Sequence, residues 1–245
     1  MIHNSVLVLG ASGGLGQAMV KKFLADPKVD LVVAVSQQIQ ASVPELPVRD
    51  DLVWIQSEYH EQAMAEVIVQ LDPFKATFSR VCICHGILHD ADMRPEKRFE
   101  DVSAEVLRKI FQANSIVPAL WLKLLHRILQ GKQPCIVAVF SARVGSTADN
   151  RLGGWYAYRA SKAALNSLLQ TYAVEYARRA KNIKLIAFHP GTTDTQLSKP
   201  FQASVPEGKL FTTDFVADQL AQIMASAELD GQLSFLDWEG KTIPF

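Results

Sequence analysis

Seven short runs of mostly apolar, β-branched residues punctuate the chain at 5–9, 31–35, 52–56, 81–84, 135–140, 183–188 and 234–236, and each predicts a β-strand. Between them, 14–25, 61–71, 104–129, 155–180 and 214–227 repeat apolar residues at three- and four-residue intervals, which predicts helices. Alternation of the two patterns spells successive β–α units, an α/β chain with a parallel sheet and right-handed crossovers. The stretch 197–210, with Pro200, Pro206 and Gly208, follows a strand as a long loop of the kind that closes over ligands. There is no tandem repeat, low-complexity tract or linker, so 1–245 is expected to form one domain.

Composition narrows the partners. The 25 basic and 25 acidic side chains cancel, and no Lys/Arg block is present, so the sequence gives no support to phosphate-backbone binding by nucleic acid. No apolar run approaches the roughly 18–20 residues of a membrane span, and the first residues lead into a strand without a cleavable signal pattern. A cytoplasmic protein is expected. Cys82, Cys84 and Cys135 are odd in number and sit in apolar strand-like runs, as buried reduced thiols do.

The first strand runs into Gly10-Ala11-Ser12-Gly13-Gly14-Leu15-Gly16 and then a helix with Met19, Phe23 and Leu24 on its apolar side. Glycines at such a junction permit a tight turn, let backbone N–H groups approach a pyrophosphate, and set that anion at the positive end of a helix. Gly10–Gly14 also fits G-x-S-x-G, the nucleophile elbow of α/β hydrolases. Position argues against the elbow, which needs an earlier strand and loop for its oxyanion hole; only nine residues precede Gly10.

Tyr158-Arg159-Ala160-Ser161-Lys162 lies near the start of the helix at 155–180, and the four-residue spacing places the phenol and the ammonium on one face. A phenol of pKa near 10 is a poor base, and a fixed cation nearby is expected to lower it by about 1–3 units, making Tyr158 a general acid/base. The strand at 135–140 ends at Ser141, at the carboxyl end of a central strand where open α/β sheets bind ligands.

Taken together, these residues resemble the short-chain dehydrogenase/reductase family over essentially the whole chain. Closest is the C-factor-like branch that includes sniffer-type carbonyl reductases, through 141–158 and His189-Pro190-Gly191-Thr192-Thr193-Asp194-Thr195. The resemblance implies a doubly wound Rossmann-type sheet of about seven strands in the order 3-2-1-4-5-6-7. It implies Tyr158 as proton donor or acceptor, Lys162 holding the nicotinamide ribose, and Ser141 orienting the substrate carbonyl. Asn114 matches the helix-four asparagine whose backbone carbonyl holds a relay water; Pro118 lacks the N–H that would otherwise occupy that carbonyl. Cofactor contacts are expected from Gly10, Ser12, Gly13, Gly14, Leu15, Gly16, Ser36, Gln37, Cys84, His85, Gly86, Tyr158, Lys162, Pro190, Gly191, Thr193 and Thr195. Because founding members of the branch are described as cell-to-cell signals, the alternative is a signalling protein that binds the cofactor with turnover dispensable.

The sequence departs from the family in two places. Leu9 stands where a Thr usually precedes the first glycine, and Ile83-Cys84-His85-Gly86 replaces Asn-Asn-Ala-Gly after strand four. His85 either lines the cofactor pocket or fills space beside the turn. A metal site from His85, His89, Asp90 and Asp92 is not expected, because His85 and His89 would face together only on a helix. At the end of strand two, Val35-Ser36-Gln37-Gln38 lacks the acid that bonds both ribose hydroxyls in NAD enzymes, and Ser36 and Gln37 can donate to a 2′-phosphate. NADP is therefore preferred, with NAD the alternative. Residues 88–98 and 197–210 should form the pocket of a small-molecule carbonyl substrate, and Leu197, Phe201 and Phe211 suggest an apolar one. Helix 104–129 is apolar on nearly every side, from Val106 to Ile128, which predicts a homodimer or higher homo-oligomer through that helix.

Overall fold

The computed structural model describes residues 3–245. Strands β1 (Ser5–Leu9), β2 (Leu31–Ser36), β3 (Leu52–Gln56), β4 (Phe78–Ile83), β5 (Cys135–Phe140) and β6 (Ile183–His189) alternate with helices α1 (Gly14–Leu24), α2 (Glu61–Leu71), α3 (Ala104–Phe111), α4 (Val117–Leu129) and α5 (Tyr156–Arg179). The two-residue strands β7 (Thr192–Thr193) and β8 (Leu210–Phe211) pair with each other, ahead of α6 (Thr213–Ser226) and β9 (Leu233–Asp237). The sheet order is β3-β2-β1-β4-β5-β6-β9, all neighbours parallel, so β9 is the seventh strand of the expected order.

The strands are apolar at nearly every position because both faces of the sheet are covered. Leu7 and Leu9 of β1 join the core beneath α2, α4 and α5, with Trp121, Leu125 and Leu165. Val6 and Val8 face the other way, onto Met19 and Phe23 of α1 and Leu220 of α6. β1 pairs with β2 on one side and β4 on the other, so the chain order reverses there and opens a crevice beyond the carboxyl ends of β1 and β4. Gly10 and Cys84 are the first residues past those ends. Gly10 takes φ +80°, and a Cβ on Gly16 would fall 2.2 Å from the Gly10 carbonyl oxygen, so both positions demand glycine.

The single helix expected over 104–129 is corrected. α3 gives way to a π-helical turn at Gln112–Ile116, where the Val117 N–H bonds the Gln112 carbonyl, before α4 begins. Pro118, buried in the first turn of α4, has no N–H to continue the ordinary ladder; a π turn absorbs the break by slipping the register one residue. Asn114 sits in the middle of that turn. Most of the apolar surface of α3 and α4 is covered by the chain itself: Ile110, Trp121, Leu125 and Ile128 are buried, and Leu120 and Leu124 pack half-buried on the core. Ile116 is the exposed member of the set. No described helix is long and apolar enough to cross a membrane.

Candidate active site

A cavity of about 440 Å³ opens at the carboxyl ends of β4, β5 and β6. Leu15, Cys84, His85, Gly86, Ser141, Tyr158, Lys162, Pro190, Gly191, Thr193 and Thr195 all line it, so residues scattered from 15 to 195 are brought to one place. A second cavity, of about 540 Å³, is bordered by Gly10, Ser12, Gly13 and Gln37. Cys84, His85 and Gly86 border both cavities, and so form the wall between them. α1 begins beside this wall with Gly13 as its N-cap, no side-chain cap bond and no acid in its first turn, which leaves its first N–H groups available to an anion. Gly14 and Gly16 line neither cavity; a Cβ on Gly14 would meet Thr195 at 3.1 Å, so Gly14 lets the loop after β6 pack onto the glycine turn.

Tyr158 and Lys162 lie on the first turns of α5, both buried. Lys162 Nζ donates to the Phe140 carbonyl at 2.7 Å and stands 5.9 Å from the centre of the Tyr158 ring. Burial pushes Lys162 down to about 7 and Tyr158 up to about 12. The expected lowering of the Tyr158 phenol is not seen: burial removes water from around the phenolate and raises the phenol, and burial likewise makes the Lys162 charge costly. The phenol keeps its proton at neutral pH, the form that donates to a carbonyl oxygen.

Two further side chains, absent from the expected set, brace the segments around this pair. The Ser141 hydroxyl donates to Asn166 Oδ1 at 2.6 Å, and Asn166 Nδ2 donates to the Gly145 carbonyl at 3.4 Å. Asn166 follows Lys162 by four residues, so the arithmetic that joins Tyr158 to Lys162 places it on the same helix face. Glu96 is buried; its carboxylate accepts from the Ala157 N–H at 3.3 Å and its backbone carbonyl accepts from the Trp155 N–H at 2.6 Å. That clamp holds Trp155 in the left-handed region (φ 53°, ψ 44°), a conformation costing about 1–3 kcal/mol without such support. No local pattern in the sequence announces Glu96, because its partners lie some sixty residues away. Asn114 clamps the same neighbourhood with its side chain: Oδ1 accepts from the Ile87 N–H, and Nδ2 donates to the Ile87 carbonyl and to Ser161 Oγ. The wall at 84–86 is thereby tied to α5.

The model of the short chain dehydrogenases matches residues 4–205. The chain belongs to the short-chain dehydrogenase family. It is similar to benzil reductase ((S)-benzoin forming) of Bacillus subtilis, 24% identical over 93% of this chain and 96% of that enzyme. It is also similar to the C-signal of Myxococcus xanthus, 31% identical over 59% of this chain and 82% of that protein. Among solved structures, the carbonyl reductase Sniffer of D. melanogaster superposes with a TM-score of 0.84 at 18% identity, each chain covered over 100%. An NADPH-bound carbonyl reductase from chicken fatty liver gives 0.83 at 20% identity, again over 100% of both chains.

The remaining residues of this dehydrogenase divide into those that face the cavities and those that support them. His85 is 7% exposed, meets Tyr59 edge-on at 4.3 Å between ring centres, and is driven down to about 3 by burial and then by the charge of Lys162. It fills space beside the turn and lines the pocket as a neutral ring. Ser36 is fully buried; its hydroxyl donates to Ser12 Oγ at 2.7 Å and accepts from the Gln38 N–H, so it reaches the second cavity through Ser12. Gln37 borders that cavity itself. The expected lid at 197–210 contains a 3₁₀ turn, Lys199–Ser204, and lends Leu197 and Phe201 to the cavity beside Leu88 and Trp155. His89 Nε2 lies 3.1 Å from the carbonyls of Gln196 and Leu197, which joins the loop after β4 to this lid. Phe211 is corrected: instead of lining the substrate cavity it meets Trp238 at a tilt, 5.0 Å between ring centres, and lies against Gly191, because the β7–β8 pairing turns it inward.

Proposed function

We propose that this chain is a single NAD(P)-binding domain that reduces a small carbonyl substrate, with Tyr158 as the proton donor and NADP as the preferred cofactor. The observation that carries this reading is the convergence of Ser141, Tyr158 and Lys162 on one cavity whose wall, at Cys84–Gly86, is shared with the cavity of the glycine turn. Two adjoining cavities with an uncapped helix N-terminus between them fit a dinucleotide lying across the wall. Gly10, Ser12, Gly13 and Gln37 would hold the adenosine side, and Tyr158, Lys162, Pro190, Gly191, Thr193 and Thr195 the nicotinamide side.

The bound cofactor supplies hydride to the carbonyl carbon. Tyr158, protonated at neutral pH, gives its phenolic proton to the carbonyl oxygen. Lys162, poised near 7, passes a proton to the tyrosinate it faces. The Asn114 backbone carbonyl, in the π turn beside Pro118, anchors the water that resupplies Lys162. Trp155 and Phe201, 5.2 Å apart between ring centres, give the cavity an aromatic wall; with benzil reductase among the relatives, this favours an aromatic ketone or α-diketone. Two copies meeting through α4 and α5, with Ile116 of the π turn and Leu168 of α5 exposed, would make the homodimer.

Purified protein mixed with NADPH and a panel of aldehydes, ketones, quinones and benzil tests the reading: cofactor oxidation with at least one carbonyl supports it. No oxidation above background across the panel overturns it in favour of a signalling role. For the cofactor, the Ser36→Asp variant places a carboxylate at the end of β2, beside Ser12 and repulsive to a 2′-phosphate. The ratio of kcat/KM for NADPH over NADH should fall by about tenfold or more. Tenfold better use of NADH by the unaltered protein would refute the NADP assignment.

A further inference from the structure

We propose that His89 is a positioning residue that holds the lid at 197–210 against the cavity and, by fixing Phe201, sets the pocket for the aromatic part of the substrate. The inference deepens the reductase reading above and rests on it for the nature of the ligand. The lid leaves the body of the protein between β7 and β8, whose pairing fixes only its two ends. Inside that span the hydrogen bonds are local: Ser198 Oγ donates to the Thr193 carbonyl at 2.5 Å, and Gln202 Nε2 donates to Asp194 Oδ1 at 2.8 Å. Among the described residues, the hydrogen bonds that join 196–209 to the chain beyond 193–211 are those of His89, whose Nε2 lies 3.1 Å from the carbonyls of both Gln196 and Leu197. Backbone carbonyls only accept, so Nε2 carries a proton and donates to the pair.

His89 itself stands on fixed ground. Leu88 before it is buried in the cluster that holds Tyr158, Leu197 and Phe201. Asp90 after it pairs with Lys109 of α3, and the Asp90 N–H donates to the Met93 carbonyl at 3.0 Å. The His89 ring meets Phe201 edge-on at 5.8 Å between centres, and Phe201 in turn lies 5.2 Å from Trp155. The loop after β4 therefore sets both aromatic faces of the cavity: Glu96 holds the start of α5 beside Trp155, and His89 holds the lid that carries Phe201.

A lid tied by one side chain is closed by a small margin. Removing such a hydrogen bond shifts an open–closed equilibrium by roughly three- to tenfold, enough to leave the lid open for much of the time. The apparent affinity for the substrate then falls with the closed fraction, whereas the chemical step within the closed complex is untouched. The effect therefore appears in KM rather than in kcat, and it is greatest for a substrate that reaches Phe201.

Two variants separate the hydrogen bond from the packing of the ring. His89→Phe keeps a ring beside Phe201 and removes the donor, whereas His89→Gln loses the ring and keeps an N–H donor. With NADPH and benzil, or the best aromatic ketone of the panel, His89→Phe should raise the KM for the ketone about threefold or more. Its kcat and its KM for NADPH should stay within about twofold, and the KM for a short aliphatic aldehyde should change less than that for the ketone. His89→Gln should recover most of the loss. Hydrogen exchange over 196–209, followed by mass spectrometry without substrate, should quicken about threefold or more in His89→Phe and much less in His89→Gln. Equal effects in the two variants would make the ring rather than the donor the tie, and no effect in either would show a lid that closes without it; both results overturn the proposal. If His89→Phe does not fold, His89→Leu is read in the same way. An unaltered protein that reduces no carbonyl overturns the reductase reading, and the exchange measurement, which needs no turnover, then decides by itself whether His89 holds the lid.

Discussion

Tyr158→Phe is expected to lower turnover by about 100-fold or more while leaving cofactor affinity nearly unchanged. The substitution keeps the ring that packs 6.1 Å from Trp155 between centres and removes one oxygen. That oxygen belongs to the phenol that burial holds up at about 12, so it is protonated throughout the working range. A donor of that pKa gives up its proton only as negative charge develops on the substrate oxygen, so its removal acts on the transition state rather than on binding. Single-turnover rates and fluorescence titration with NADPH would separate the two. Near-normal turnover in Tyr158→Phe would refute the mechanism.

Lys162→Met should abolish turnover and, at the same time, make the protein more stable at about pH 6. Lys162 is 2% exposed and has been pushed from its ordinary 10.5 to about 7. Below about 7 both the folded and the unfolded chain hold the proton, and the cost of burying the ammonium weighs in full. Between about 7 and 10.5 the unfolded chain holds a proton that the folded one has released, so this group makes stability rise with pH across that window. At one pKa unit per roughly 1.4 kcal/mol, the shift corresponds to about 4–5 kcal/mol. Orphaning the Phe140 carbonyl, which loses its 2.7 Å donor, takes back about 1–3 kcal/mol. The net gain should raise the melting temperature by about 2–16 °C near pH 6, shrinking as the pH approaches 10. Scanning calorimetry at the two pH values checks it, and a lower melting temperature at pH 6 would show that the lysine does not carry that burial cost. A lysine kept at such expense beside the buried Tyr158 ring is the kind of stability sacrifice that active sites make.

Seven apolar runs alternating with helical spacing determined that β1, β2, β3, β4, β5, β6 and β9 follow one another as strands of a parallel sheet, because a buried parallel strand has to be apolar on both faces and a crossover helix amphipathic on one; their order across the sheet came from the family resemblance. The glycine turn was legible for a similarly local reason: Gly16 answers to the Gly10 carbonyl of its own turn, and Gly10 to its own φ of +80°. So was the Tyr158–Lys162 pair, because helix geometry alone sets their spacing. What lay beyond the sequence were quantities that depend on who sits across from whom. The π turn at Gln112–Ile116 was readable only as a kink at Pro118, since its one-residue slip depends on how α3 and α4 dock. Glu96, which holds Trp155 and Ala157, and the inward turn of Phe211 rest on contacts between distant segments. Spacing suggested that Lys162 would lower the Tyr158 phenol, but the fold buries that phenol, and burial raises it. A pattern records which charges are neighbours, whereas the water removed from around them is fixed only when the whole fold closes.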